Sequence, residues 1–145
     1  MIEITNRVLN YNEICSIVGN HSSGAVVTFF GITRKFNNNR NVLYLEYEAY
    51  QPMSDKMLAR VACKAKEKWP IENLSIIHRI GRIEVGEISL VVVVTSSHRK
   101  EALLACEYTI NRIKTNVPIW KKEFFEGGEV WIESLEDISM REVLK

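Results

Sequence analysis

The run ISLVVVVTS, from Ile88 to Ser96, constrains this chain more than any other stretch. Its middle is unbroken Leu and Val, and β-branched side chains favour an extended backbone. A strand of that composition offers water no polar face, so it is buried on both faces. The remaining segments must therefore supply cover on two sides of it.

Helices and further strands are legible on either side. YNEICSIVGN sets Ile14, Ile17 and Val18 at helical spacing, with Gly19 placed to cap the end. GAVVTFFG is a short apolar run between glycines and reads as a buried strand. ITRKFNNNRN, with its asparagines, reads as a mobile loop. VLYLEYEAY alternates, putting Leu43, Leu45, Tyr47 and Ala49 on one face and Val42, Tyr44, Glu46 and Glu48 on a wetter one. PMSDKMLARVACKAKEKWP is an amphipathic helix with Met53, Met57, Leu58, Val61, Ala62, Ala65 and Trp69 on one face, Ser54 as a cap and Pro70 as its stop. LSIIHRIG is another strand, and SHRKEALLACEYTINRIKT another helix, with Leu103, Cys106, Ile110 and Ile113 inward. WKKEFF and EVWIE flank Gly127-Gly128, which suits the positive φ angles of a tight hairpin. Ser134, with Asp137 three residues on, opens a short terminal helix.

The order is α-β-β-α-β-β-α-β-β-α. Paired strands separated by helices predict an α+β domain with a mostly antiparallel sheet and flanking helices, one domain over residues 1–145. A doubly wound parallel sheet ranks second, because it needs a helix after nearly every strand. There is no internal repeat, low-complexity tract or linker.

Composition narrows the class of function. Lys and Arg number 19 against 18 Asp and Glu, so the net charge of +1 gives no global case for a nucleic-acid partner. No apolar run approaches the roughly 20 residues that span a bilayer. MIEITNRVLN lacks the basic start and apolar core of a secretory signal, so a cytoplasmic protein without membrane association is expected. Cys15, Cys63 and Cys106 are far apart on predicted helices. They read as buried small hydrophobes, not as a disulfide framework or a zinc site. His21, His78 and His98 have no metal-ligand spacing, and His78, in an apolar strand, reads as a satisfied or half-buried side chain.

Two constellations carry chemistry. TSSHRK lies where the valine strand becomes a helix, so His98 and Arg99 stand by the free amides of a first turn, which attract anions. The bland alternative is that Ser96 or Ser97 caps the helix and His98 is exposed. Lys114 ends the same helix, where a lysine also interacts well with the carbonyl end. In TNVPIW, Pro118 stiffens the turn and Trp120 supplies an apolar wall, so the chain returns towards the helix end with Lys121 leading. Alternation sends Lys121 and Lys122 to opposite faces. A partly desolvated lysine among cations has a lowered pKa and can serve as nucleophile or proton shuttle.

In order, GAVVTFFGITR, LEYEAY, KWP, IIHRIG, TSSHRK and IKTNVPIWKKE resemble the large subunit of molybdopterin synthase, the MoaE family. The resemblance runs from about Gly24 to Trp131, while the Asn-rich loop and the C-terminal residues carry little of it. It implies an α/β-hammerhead fold and a homodimer that holds two small ubiquitin-like sulfur-carrier subunits in a heterotetramer. It implies sulfur transfer from the carrier's C-terminal Gly-Gly thiocarboxylate to cyclic pyranopterin monophosphate (precursor Z), building the molybdopterin dithiolene. By resemblance, Ile32, Thr33 and Arg34 form a loop at the substrate, and His98 and Arg99 hold its anionic part, from the same or the neighbouring protomer. Lys114 matches the lysine at the reaction centre, and Lys121, Lys122 and Glu123 match a substrate-contacting segment, with Lys114 and Lys121 the catalytic pair. No metal and no redox cofactor is implied. With Gly127-Gly128 internal and EVLK at the end of the sequence, the receiving subunit is expected and not the carrier. The competing expectation is a non-catalytic module that binds a ubiquitin-like partner; a nucleic-acid binder ranks third.

Overall fold

The computed structural model of the chain describes residues 1–16 and 22–132, without the side chain of Cys15. The expected Gly19 cap, with Ile17, Val18 and His21, and the terminal helix expected at Ser134 and Asp137 lie outside the described residues. In chain order the elements are β1 (Ile2–Thr5), α1 (Tyr11–Ser16), β2 (Ala25–Ile32), β3 (Phe36–Asn37), β4 (Arg40–Ala49) and α2 (Gln51–Lys68). Then come β5 (Ile71–Arg79), β6 (Gly81–Glu84), β7 (Ile88–Ser96), α3 (Arg99–Asn116), β8 (Ile119–Phe125) and β9 (Gly128–Ile132). The α+β class and the mostly antiparallel pairing are as expected, with β1, β3 and β6 added to the predicted order.

β7 explains the architecture. It lies between β5 and β2 in a four-stranded sheet of order β1-β5-β7-β2, and all its residues are buried. Leu90, Val92 and Val94 pack with Leu58 and Ala65 of α2 and Ala105 of α3. Val91 and Val93 pack on the other face with Leu9, Ile14 and Ile77. Among the described residues only β1 is parallel to its neighbour, pairing Ile2 with Ile76 of β5. It is tied to α1 by Arg7, whose guanidinium meets Glu3 at 3.2 Å and Glu13 at 2.6 Å. GAVVTFFG is an edge strand, not a buried one: β2 has a single neighbour, and Val26 is 45% exposed.

The second sheet runs β3-β4-β8-β9, with β6 also paired to β4. Here the alternation expected along β4 breaks. The register shifts between Val42 and Tyr44, so Leu43 is a bulged extra residue. Val42 and Leu45 are both buried while Leu43 is 49% exposed. The Asn-rich stretch, expected as a loop, forms a hairpin. Phe36 pairs with Asn41 and Asn37 with Arg40, and Asn38 and Asn39 turn the chain at φ values of 49° and 63°. Asparagine tolerates those angles, which a two-residue hairpin requires at both central positions. In the β8–β9 hairpin it is Gly127 that supplies the positive φ, at 103°.

Helix faces depart from expectation where small residues do the packing. Ser54 is no cap: α2 begins at Gln51 with a proline in its first turn, and Ser54 is fully buried. Met53 is 49% exposed. On α3 the buried residues are Ala102, Ala105, Cys106, Thr109 and Ile113. Leu103 is 55% exposed, because the close approach of α3 to β7 admits alanines in its place. Cys106 is buried as expected, and burial pushes its thiol up to about 11; Cys63 is exposed, against expectation.

Candidate active site

α3, the proline turn and β8 fix the two lysines that the sequence singled out. Lys114 stands in the last turn of α3, with the Val117 amide closing that turn onto the Ile113 carbonyl at 3.2 Å. The next carbonyl, that of Pro118, is held twice from the start of α2. It accepts the Tyr50 amide at 3.2 Å and the Ser54 hydroxyl at 3.0 Å. This clamp sets where β8 begins, and so where Lys121 lies relative to Lys114. Ser54 is a contributor that sequence reasoning missed, since its signal there was indistinguishable from an ordinary cap.

β8 then alternates as predicted. Lys121 lies opposite Tyr47 of β4 and turns into a cleft of about 400 Å³. Lys122 points to the other face, 3.2 Å from Glu129 and 5.4 Å from the ring centres of both Phe124 and Trp131. The cleft brings together Ile32 at the end of β2, Arg34 just beyond it, Lys114 of α3 and Lys121 of β8. Arg34 and Lys114 are exposed and Lys121 half-buried, so cations line the rim. Phe29, Leu90, Ile113 and Ile119 form apolar walls. Its polar interior is made by Tyr47, His78 and Ser89, none of which the sequence placed in a site.

Thr33 and Glu123 serve the site differently from their neighbours. Thr33 is only 3% exposed, and its backbone is laced to the turn before β7. Its amide donates to the Glu87 carbonyl at 3.1 Å and its carbonyl accepts from Gly86 at 2.9 Å. Glu87 is in turn paired at 3.3 Å with the buried Arg79. Glu123 is 1% exposed. It accepts from Asn37 Nδ2 at 2.8 Å and from Arg40 through Nε at 2.9 Å and Nη2 at 2.7 Å. Glu123 borders a smaller cavity of about 60 Å³ that shares Ile32, Arg34, Tyr47 and Lys121 with the main cleft. Asn37 Oδ1 also receives Arg34 Nη2 at 3.5 Å, so the Asn-rich hairpin reaches the arginine of the rim.

His98 and Arg99 are at the opposite end of α3 from Lys114. At 1.5 Å per residue that separation is about 22 Å, so the structure does not bring the two groups together within one chain. His98 is the N-cap residue of α3 and makes no side-chain cap bond. Neither serine caps the helix through its side chain: Ser96 donates to the Pro70 carbonyl at 3.4 Å and Ser97 to Glu72 at 3.4 Å. Gly24 bonds the Ser96 carbonyl at 3.0 Å, and a Cβ there would overlap the Ser97 carbonyl.

The interior of the cleft is held neutral. Burial lowers the His78 imidazole to about 4, while burial pushes the Tyr47 phenol up against the opposing effect of its Ser89 hydrogen bond. The two rings meet edge to face at 5.1 Å. The arrangement is thus a cationic rim over a neutral, partly apolar pocket, able to hold an anion beside two amines.

Known proteins resemble this chain over most of its length. The family model described as MoaE protein matches residues 4–116. The molybdopterin synthase catalytic subunit of Bacillus subtilis (strain 168) is 46% identical over 130 residues, 90% of this chain and 83% of that protein. The crystal structure of molybdopterin synthase from Staphylococcus aureus superposes with a TM-score of 0.85 at 42% identity, covering 91% of this chain and 96% of the other. A complex of subunits 1 and 2 of molybdopterin-converting factor from Helicobacter pylori 26695 matches with a TM-score of 0.73 at 25% identity, covering 92% and 91%.

Proposed function

The chain belongs to the MoaE family, and from that premise we propose that it is the catalytic subunit of a molybdopterin synthase. It takes sulfur from the C-terminal thiocarboxylate of a small ubiquitin-like subunit and delivers it to cyclic pyranopterin monophosphate in molybdenum cofactor biosynthesis. The observation that carries this reading is the meeting of Arg34, Lys114 and Lys121, from three separate elements, at one cleft.

The chemistry accounts for these residue types. The thiocarboxylate sulfur forms a C–S bond to a side-chain carbon beside the pterin as the bond from that carbon to its phosphate oxygen breaks. Water then cleaves the resulting thioester, leaving the sulfur on the product and the carrier as a carboxylate. That C–O cleavage opens the cyclic phosphate to a monoester and needs a proton or a cation at the departing phosphate oxygen. Lys114 and Lys121 are the proton carriers and stabilise the negative charge that develops. Lys114, an amine beside an activated acyl group, is also placed to attack the carrier's terminal carbonyl transiently. Arg34 holds phosphate at the rim with its fixed fork of donors. Ile32 borders the same pocket, while Thr33 and Glu123 hold the loop and strand that present Arg34 and Lys121. Lys122, on the far face, would contact substrate only where a second chain brings it there. His98 and Arg99 complete the phosphate site from the neighbouring protomer of a homodimer, since their own Lys114 is a helix length away. The assembly is a heterotetramer with two carriers, and it works in the cytoplasm.

A single-turnover assay with cyclic pyranopterin monophosphate and thiocarboxylated carrier tests the reading. Wild type makes the dithiolene, and Lys114→Ala binds its carrier yet loses roughly a hundredfold or more of the rate, the scale of general acid–base catalysis. Carrier binding by wild type without sulfur transfer would instead identify a non-catalytic binding module.

A further inference from the structure

Two neutral groups inside the cleft have their protons already committed. His78 Nδ1 lies 2.8 Å from the Arg79 carbonyl oxygen. A carbonyl only accepts, so Nδ1 carries the ring proton and Nε2 is left as an acceptor. The Ser89 hydroxyl donates to the Gly31 carbonyl at 3.1 Å. Both side chains line the cleft, and each has a lone pair and no spare proton for a visitor. The rim is the reverse, since Arg34, Lys114 and Lys121 carry donors and positive charge.

We infer that His78 and Ser89 form an acceptor floor that reads an N–H donor of the ligand whose anionic end rests on the Arg34–Lys114–Lys121 rim. The inference rests on the proposed sulfur transfer for the identity of that ligand. Two components of the reaction offer such donors: the pterin ring of the substrate and the amides of the carrier's glycine tail. A buried acceptor discriminates because a ligand lacking the donor leaves it unpaired, which costs more than the bond itself contributes. The floor thereby separates ligands with a donor-bearing inner end from simple phosphates that only satisfy the rim.

The test measures, by calorimetry and single turnover, the affinity of the full chain for cyclic pyranopterin monophosphate and, separately, for thiocarboxylated carrier. Three variants are compared with wild type. His78→Leu removes the ring acceptor, His78→Gln restores an acceptor near Nε2, and Ser89→Ala removes the hydroxyl acceptor. Loss of one such bond weakens binding by roughly tenfold, in His78→Leu and Ser89→Ala, with recovery in His78→Gln. Weakening confined to the pterin assigns the donor to the substrate ring, and weakening confined to the carrier assigns it to the glycine tail. If His78→Leu fails to fold, Ser89→Ala carries the same comparison. Folded variants that bind both ligands as wild type does overturn the floor. Wild type that binds both ligands but transfers no sulfur overturns the proposed activity alone, and the affinities still decide the floor.

Discussion

His78 shows how a residue can be read correctly and still be under-read. Its place in an apolar strand gave a satisfied or half-buried histidine, and it is in fact 5% exposed with its Nδ1 on a carbonyl. What the strand pattern does not contain is that His78 borders a cleft whose other walls come from β4, β7 and α3. Its burial also makes a prediction about stability. The folded imidazole titrates near 4 and an unfolded one near 6.5, so between those values the unfolded chain binds the extra proton. Stability from this group is complete above pH 6.5 and is lost as the pH falls towards 4, by roughly 3 kcal/mol in all. Urea midpoints measured from pH 7 to pH 4 should fall for wild type, and the fall should be shallower in His78→Gln. Equal slopes would show that other groups govern acid sensitivity. Lys121 and Lys122 are the counter-case, where strand alternation alone separated a cleft lysine from one paired with Glu129.

Elements were legible where one physical signal dominated. β7, α2 and α3 follow from apolar runs and helical periodicity, and the β8–β9 hairpin from Gly127. The failures share a cause, which is that a neighbour decided the outcome. Leu43 is turned outward by a bulge whose register is set by β8. β1 is a few residues that become a strand because β5 offers an edge. Alanines, not Leu103, face the sheet because helix and strand approach closely. Ser54 belongs here too, as its partner is a carbonyl far along the chain. Ser54→Ala removes a buried hydrogen bond and leaves the Pro118 carbonyl with the Tyr50 amide alone. It should cost about 1 kcal/mol, seen as a lower urea midpoint at unchanged slope. An unaltered midpoint would mean that the tyrosine amide suffices to hold the turn.

Across the whole molecule, the site is incomplete in one chain if His98 and Arg99 belong to it. About 22 Å of helix separates them from Lys114, and no change of side-chain conformation spans that distance. The resemblance supplied the residues; only the fold reveals that one copy cannot gather them. Mixing Lys114→Ala chains with His98→Ala chains therefore tests the shared site. Each pure variant is inactive, whereas random pairing leaves about a quarter of all sites with both residues intact. Recovery near that level after co-refolding, read by dithiolene formation, supports a site built across two protomers. Absence of recovery, with mixed dimers verified, would confine the chemistry to one chain.

The pairing of β4 with β8 has a consequence for the order in which the protein matures during synthesis. β1, β2, β5 and β7 are all made once Ser96 has been translated, so the four-stranded sheet has its strands in hand early. β4 finds β6 soon after its own synthesis but waits for β8, which ends at Phe125. Lys121 arrives on that late strand. A ribosome-bound chain can thus have a nearly finished scaffold while its cleft still lacks a wall and one of its two amines.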